Sequence, residues 1–333
     1  MKAFIIGSGM SAPDRVVTNE EISELLALDP EQIFKSSGIR QRRWASPDTS
    51  TAELAALALK EAVADSKLTV DAIDYLLMGT MTPDRFIPGS APQVQSALAL
   101  DRIPCLDIRA TCCNALYGLQ IAKSLVTSGA ARTVALCLAE VQSTWLDLSP
   151  ASGTISMLFG DGASALVVAA EKQEDSLEII DILLATDGAY VDDLGIRSPG
   201  TKYASRTAAS APANDDHKPF MNGQTVIRHA ARNIVEACNL LLARNSLGIE
   251  NISWLVPHQA NANLLRQIAR SLNFPTDDDR VVSVLEEYGN TSSASMGIAL
   301  DTLRRSRRIL SGDYLLLPAF GAGFTWGAAL CRA

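Results

Sequence analysis

The second half of this chain echoes the first, and in the same order. Val70-Asp71-Ala72-Ile73-Asp74-Tyr75-Leu76-Leu77 follows a helix-like segment, as does Ile249-Glu250-Asn251-Ile252-Ser253-Trp254-Leu255-Val256. Asp101-Arg102-Ile103 then matches Asp279-Arg280-Val281, and Cys112 and Asn290 each lie eleven residues beyond the Asp. Ser128-Gly129 and Ser311-Gly312 each precede a strand-like run, and Gly162-Ala163-Ser164-Ala165-Leu166 resembles Gly327-Ala328-Ala329-Leu330. No single match is strong, but their shared order argues for a duplicated unit. Residues 1–172 and 173–333 are the expected halves.

Hydrophobic patterning says what the unit is made of. Apolar positions at helical spacing predict helices over 53–64, 115–126, 226–244, 263–272 and 294–305. Short apolar runs predict buried strands at the N-terminus and over 73–78, 133–138, 163–169, 177–184, 254–257, 314–318 and 328–331. Such alternation means α/β, here with sheets sandwiching helices. Residues 198–218, rich in Ser, Ala, Pro and Asp, show no periodicity and read as a lid or a surface loop.

Composition narrows the function. With 47% hydrophobic residues in 333, the chain is not disordered and is large enough for two lobes. A net charge of −8, with no basic run beyond two residues, gives nucleic acid little to bind. No apolar stretch is long enough to span a membrane, and the N-terminal run is too short for a signal peptide, so the cytoplasm is expected. Six cysteines are no disulfide framework. Cys105, Cys137, Cys238 and Cys331 read as small core residues.

Four constellations carry chemistry. In Asp107-Ile108-Arg109-Ala110-Thr111-Cys112-Cys113-Asn114-Ala115 a strand ends and a helix begins. A thiol there feels the helix dipole and free N–H groups, which favour the thiolate; a buried core cysteine is the alternative. Trp254-Leu255-Val256-Pro257-His258-Gln259-Ala260-Asn261 delivers a His at a strand end, either as a neutral Nε2 donor or as a capped terminus. His217 and His229 read as ordinary. Tyr288-Gly289-Asn290-Thr291-Ser292-Ser293-Ala294-Ser295 is a helix start whose Asn amide either donates into a cavity or caps the helix. Phe320-Gly321-Ala322-Gly323-Phe324-Thr325-Trp326-Gly327 lets backbone N–H groups approach a ligand as an oxyanion hole, or is a bulge between strands. Cys112-Cys113 lacks metal-ligand spacing and no paired His follows, so no metal is expected.

Together these motifs resemble those of the β-ketoacyl-ACP synthase III family of the thiolase superfamily. The resemblance runs from Gly38-Ile39-Arg40-x-Arg42 through Phe159-Gly160-Asp161-Gly162-Ala163 to the C-terminus. The tract 107–122 is particularly similar to ketosynthases of alkyl-quinolone and related secondary pathways. The resemblance implies the five-layered αβαβα thiolase fold built from two duplicated halves, and a homodimer. It implies a triad of Cys112 as nucleophile with His258 and Asn290, and an oxyanion hole from the N–H groups of Cys112 and Ala322. Cys112 would accept an acyl group from a thioester. Condensation with a decarboxylating malonyl thioester would follow. CoA or acyl carrier protein thioesters would be the substrates, and no metal or redox cofactor would be needed.

The same resemblance exposes departures. A Trp and an Arg that sandwich the CoA adenine are replaced by Gln32 and Ser36, and Ser149-Pro150-Ala151-Ser152-Gly153 stands where a further Arg is expected. A carrier-protein donor therefore becomes more plausible than free CoA. On the pantetheine side Ala260 and Asn261 match. Ile227, after Met221-Asn222-Gly223, and Ile87, in the loop reaching a neighbouring subunit, stand at positions where aromatic residues are common. Their size suggests an acyl pocket longer than acetyl. Asn263 replaces the carrier-docking Arg, with Arg266 and Arg228 nearby. Competing functions on this scaffold are acyl transfer to a hydroxyl or amine without decarboxylation, and an inactive partner subunit of a heterodimer. Degradative thiolase is disfavoured because the C-terminal Gly-rich loop lacks that family's second Cys.

Overall fold

The computed structural model describes residues 1–202, 215–275 and 278–333. The loop expected over 198–218 thus falls largely outside the described residues, as does Asp277 of the acidic run 277–279.

Nine strands hydrogen-bond in the order Ile252–Leu255, Tyr314–Gly321, Thr325–Arg332, Leu177–Thr186, Phe4–Ser11, Gly162–Ala169, Thr133–Glu140, Tyr75–Gly79, Cys105–Ile108. This ladder is two blocks joined at a corner. Leu177–Thr186 and Phe4–Ser11 share only the pairs Phe4↔Glu178 and Ile5↔Leu177. From that corner, each block runs antiparallel, antiparallel, then parallel. The first block closes with the parallel strand Cys105–Ile108, and the second has the parallel bridge Leu255↔Val281 in the same place.

Helices fill the remaining layers. Thr51–Asp65, opened by a Ser50/Glu53 capping box, covers one face of the first block against Leu76, Met78, Ala135 and Val167. The opposite face, with Leu77, Leu136 and Leu166, meets helices Asn114–Ser128 and Ser295–Arg305. Those two helices also touch Leu315, Leu317 and Ala329 of the second block, whose outer residues Leu316, Phe320 and Leu330 lie under Gly223–Arg244 and Ala262–Ser271. The result is helix, sheet, helix, sheet, helix. Strands buried on both faces must be apolar at consecutive positions, which is why they read as runs.

The expected elements are present, with shifted ends. The strand read over 254–257 is Ile252–Leu255, yet its bonding continues, with Val256 N–H donating to Leu316 O and His258 N–H to Pro318 O. The runs at 314–318 and 328–331 form one hairpin, Tyr314–Gly321 with Thr325–Arg332. One echo changes register. The turn Thr111–Cys113 enters its helix at Asn114, and its counterpart Ser292–Ala294 enters at Ser295. Thr111 and Ser292, each first in its turn, take left-handed φ of 53° and 47°. By backbone, Cys112 therefore corresponds to Ser293 rather than to Asn290. Of the four single cysteines, Cys137, Cys238 and Cys331 are buried as expected, whereas Cys105 is half-buried on the sheet's edge strand.

Candidate active site

The adjacent thiols are separated by the turn that holds them. Asn114 Oδ1 accepts the Ala110 N–H at 2.6 Å and closes the turn. Cys113 Sγ points into the core and donates to Thr325 O at 3.4 Å. Cys112 stays half-buried, with Sγ 3.4 Å from Ser292 Oγ. Beneath it, buried Glu140 accepts from Thr80 Oγ1, Met81 N–H, Thr82 Oγ1 and, at 2.6 Å, Ser293 Oγ. Burial pushes the Glu140 carboxyl up, opposed by these donors. Burial likewise pushes the Cys112 thiol up to about 11; the Ser292 contact opposes this and the Glu140 charge adds to it. The helix start was expected to favour a thiolate. Desolvation of the sulfur outweighs that dipole.

His258 is buried, and its Nδ1 lies 2.7 Å from Ser295 Oγ. That hydroxyl oxygen already accepts the Gln259 N–H at 3.1 Å. Its own proton is free to be donated to Nδ1, and in that arrangement the imidazole proton sits on Nε2. Burial pulls the imidazole down to about 4, so it is neutral at physiological pH. Gln259 pins the loop: its Nε2 donates to Pro257 O and Val282 O, and its Oε1 accepts the Val284 N–H.

Asn290 follows Gly289, whose φ of 66° suits glycine. Its Oδ1 accepts the Ser292 N–H at 2.9 Å, which turns its Nδ2 toward Ala260 O, 3.5 Å away. Ala260 N–H in turn donates to His258 O. Cys112, Ser292, Asn290, Ala260 and His258 thus form one connected chain of contacts. Against it leans the tip of the Tyr314–Gly321 hairpin. Thr111 Oγ1 donates to Ala322 O at 3.2 Å. A Cβ at Gly321 would lie 2.3 Å from Thr111 Oγ1 and 3.0 Å from the Cys112 nitrogen, so only glycine permits this approach.

Comparison with known proteins gives this arrangement its context. The family description 3-oxoacyl-[acyl-carrier-protein (ACP)] synthase III matches residues 106–188, and its C-terminal counterpart matches residues 242–333. A β-ketoacyl-[acyl-carrier-protein] synthase III of Chlamydia caviae is 36% identical over 331 residues, covering 99% of this chain and 97% of that protein. One from Alkalilimnicola ehrlichii is 38% identical over 334 residues, with 99% of each covered. The chain belongs to the β-ketoacyl-ACP synthase III family. A solved synthase III from Aquifex aeolicus superposes with a TM-score of 0.89 at 30% identity, covering 99% of this chain and 100% of that one. With it comes the thiolase fold, in agreement with the five layers and the duplication.

A synthase III reading of the sequence placed further residues around the nucleophile, and the structure distributes them. A cavity of about 440 Å³ opens onto Cys112 and Ala322, with walls from Phe86, Trp145, Leu146, Ile155, Phe159 and Phe220 among others. Ile87, Ile227 and Gly223 are not among its walls. Ile87 is 79% exposed beside Phe86, Ile227 is 49% exposed, and Gly223 begins its helix. Asn261 caps helix Ala262–Ser271 through Oδ1 and donates from Nδ2 to Ser36 O. Asn263 also donates to Ser36 O and accepts from Arg266. Sequence reasoning passed over Glu140 and Gln142, which lie at and beyond a strand's C-terminal end. The polar letters closing an otherwise apolar run, Ala139-Glu140-Val141-Gln142, were the available signal.

Proposed function

We propose that this chain transfers an acyl group to Cys112 and then condenses it with a malonyl-type thioester. Cys112 Sγ bonds to the acyl carbon, the carrier's C–S bond breaks, and the thiol proton leaves with the carrier thiol. The N–H groups of Cys112 and Ala322 face the developing oxyanion; Ala322 N–H donates to no other described residue. The malonyl thioester then loses carbon dioxide. His258 Nε2–H and Asn290 Nδ2–H hold its carbonyl oxygen as enolate charge builds. The enolate carbon attacks the acyl carbon, the bond to sulfur breaks, and the departing Cys112 thiolate takes up a proton from water. The observation that carries this reading is the buried, neutral His258 held through Nδ1 by Ser295, which leaves Nε2 as the atom to donate to the substrate.

Intact-protein mass spectrometry tests it, with acyl-CoA and acyl-carrier thioesters offered to wild type, Cys112→Ala and Cys113→Ala. An adduct lost in Cys112→Ala and kept in Cys113→Ala is expected; the reverse pattern rejects the assignment. The same reading takes residues 1–172 as the half bearing the nucleophile and 173–333 as the half bearing His258 and Asn290. It favours a carrier-protein donor, supported by the basic Lys35, Arg266 and Arg270 around one groove. It also places the enzyme in the cytoplasm, where six unpaired cysteines stay reduced.

A further inference from the structure

Ala322 sits at the tip of a hairpin, and two residues outside the four chemistry-bearing motifs, Tyr190 and His229, grip that tip. Gly321↔Thr325 is the last ladder pair, so Ala322, Gly323 and Phe324 lie beyond it. Among the described residues, the backbone partner of this stretch outside the hairpin is Asp187. Phe324 N–H donates to Asp187 O at 2.9 Å, and Asp187 N–H donates to Phe324 O at 2.8 Å. The fully buried Phe324 ring is a second anchor. Tyr190 stacks on it, with ring centroids 5.1 Å apart and planes 6° apart. Phe320, on the opposite arm of the hairpin, lies 4.9 Å away. His229, buried on helix Gly223–Arg244, completes the group at 4.2 Å from Tyr190 and 5.8 Å from Phe324. Aromatic pairs at these separations attract beyond their shared burial. Asp187 and Tyr190 belong to one turn, in which Asp187 Oδ1 accepts the Ala189 N–H at 3.0 Å. The same turn therefore holds Phe324 by backbone and by ring. Phe324 is two residues from Ala322, and the tip is packed so closely on Thr111 and Cys112 that a Cβ at Gly321 would not fit. Movement of about 1 Å is enough to misplace a group aimed at a reacting centre.

We propose that Tyr190 and His229 are positioning residues for acyl transfer: their rings clamp Phe324 and so hold the Ala322 N–H where the oxyanion forms. This rests on the reading of Ala322 N–H as an oxyanion donor. Neither ring touches the substrate, and each acts through the hairpin tip.

The test compares two reactions of Cys112 within one protein. Acylation by hexanoyl-pantetheine builds an oxyanion on the thioester oxygen. Alkylation by iodoacetamide does not, because sulfur displaces iodide at a methylene carbon. The rate of each is followed by mass spectrometry, with Cys112 located by peptide mapping. The ratio of acylation to alkylation cancels any partial loss of folded material. Tyr190→Ala is expected to lower that ratio by about tenfold to a hundredfold, and His229→Ala by about threefold to tenfold. Tyr190→Phe, which keeps the ring, is expected to match wild type. An unchanged ratio in Tyr190→Ala and His229→Ala overturns the inference, as does a Tyr190→Phe as impaired as Tyr190→Ala. Gly321→Ala separates this inference from the reading beneath it. A ratio lowered in Gly321→Ala but in neither clamp variant rejects the clamp and keeps Ala322 as the donor. A ratio unchanged in all three rejects the Ala322 donor as well.

Discussion

At the scale of single residues, the environment reverses what position alone suggests. Cys112 lies in the turn that enters a helix, yet burial holds its thiol near 11. Alkylation of Cys112 by iodoacetamide, followed by mass spectrometry, should therefore keep accelerating about tenfold per pH unit through pH 8–10. A rate that levels near pH 8 would mean an activated thiolate. His258 gives the complementary case. Its pKa is about 4 folded against 6.5 unfolded, so below pH 6.5 the unfolded chain binds a proton that the folded one refuses. Stability from this group is complete above pH 6.5 and is lost as pH falls toward 4, by up to about 3 kcal/mol. Denaturant midpoints of wild type and His258→Gln should converge by that amount on acidification. Ser295→Ala should leave Nδ1 without its hydroxyl donor and lower the condensation rate by about tenfold to a hundredfold. Acylation of Cys112 should change less, and a matched loss in both steps would reduce Ser295 to a structural role. His258 stood out in sequence because it ends an apolar run, and Cys112 and Asn290 because each stands at a helix start among small residues. The raised thiol was not visible there, since burial and the Glu140 charge, set against the Ser292 contact, come from segments distant in sequence.

At the scale of elements, the glycine at the hairpin tip carries more geometry than its neighbours. Gly321 holds the 321–325 turn against Thr111 and Cys112. Gly321→Ala is expected to push the tip away, costing about 1–3 kcal/mol of stability and misplacing the Ala322 N–H. Thermal unfolding and adduct formation should fall together, and a variant equal to wild type in both would show that the hairpin tolerates displacement. Helices and strands were legible because burial on one or both faces writes a period into the letters. The pairing of Cys112 with Asn290 by an eleven-residue count failed because the second half inserts extra backbone before its helix. Asn290 needs that added turn to reach Ala260.

At the scale of the whole molecule, one edge is left open. Among the described residues Cys105–Ile108 ends the sheet, pairing only with Tyr75–Gly79, and Leu106 on it is 40% exposed. Nearby, Phe86 is 76% exposed although it also walls the Cys112 cavity. An uncovered apolar edge invites pairing, and a two-fold partner is the commonest solution. A second copy joined along this strand would cover Leu106 and bring its own Ile87 loop toward the cavity. Light scattering should then give twice the 35.5 kDa chain mass. Leu106→Asp should place a charge on that seam, shift the protein to monomer, and slow Cys112 acylation because the wall around Phe86 loses its support. A monomeric wild type would reject the shared seam. A monomeric Leu106→Asp with undiminished acylation would show instead that each chain encloses its cavity alone.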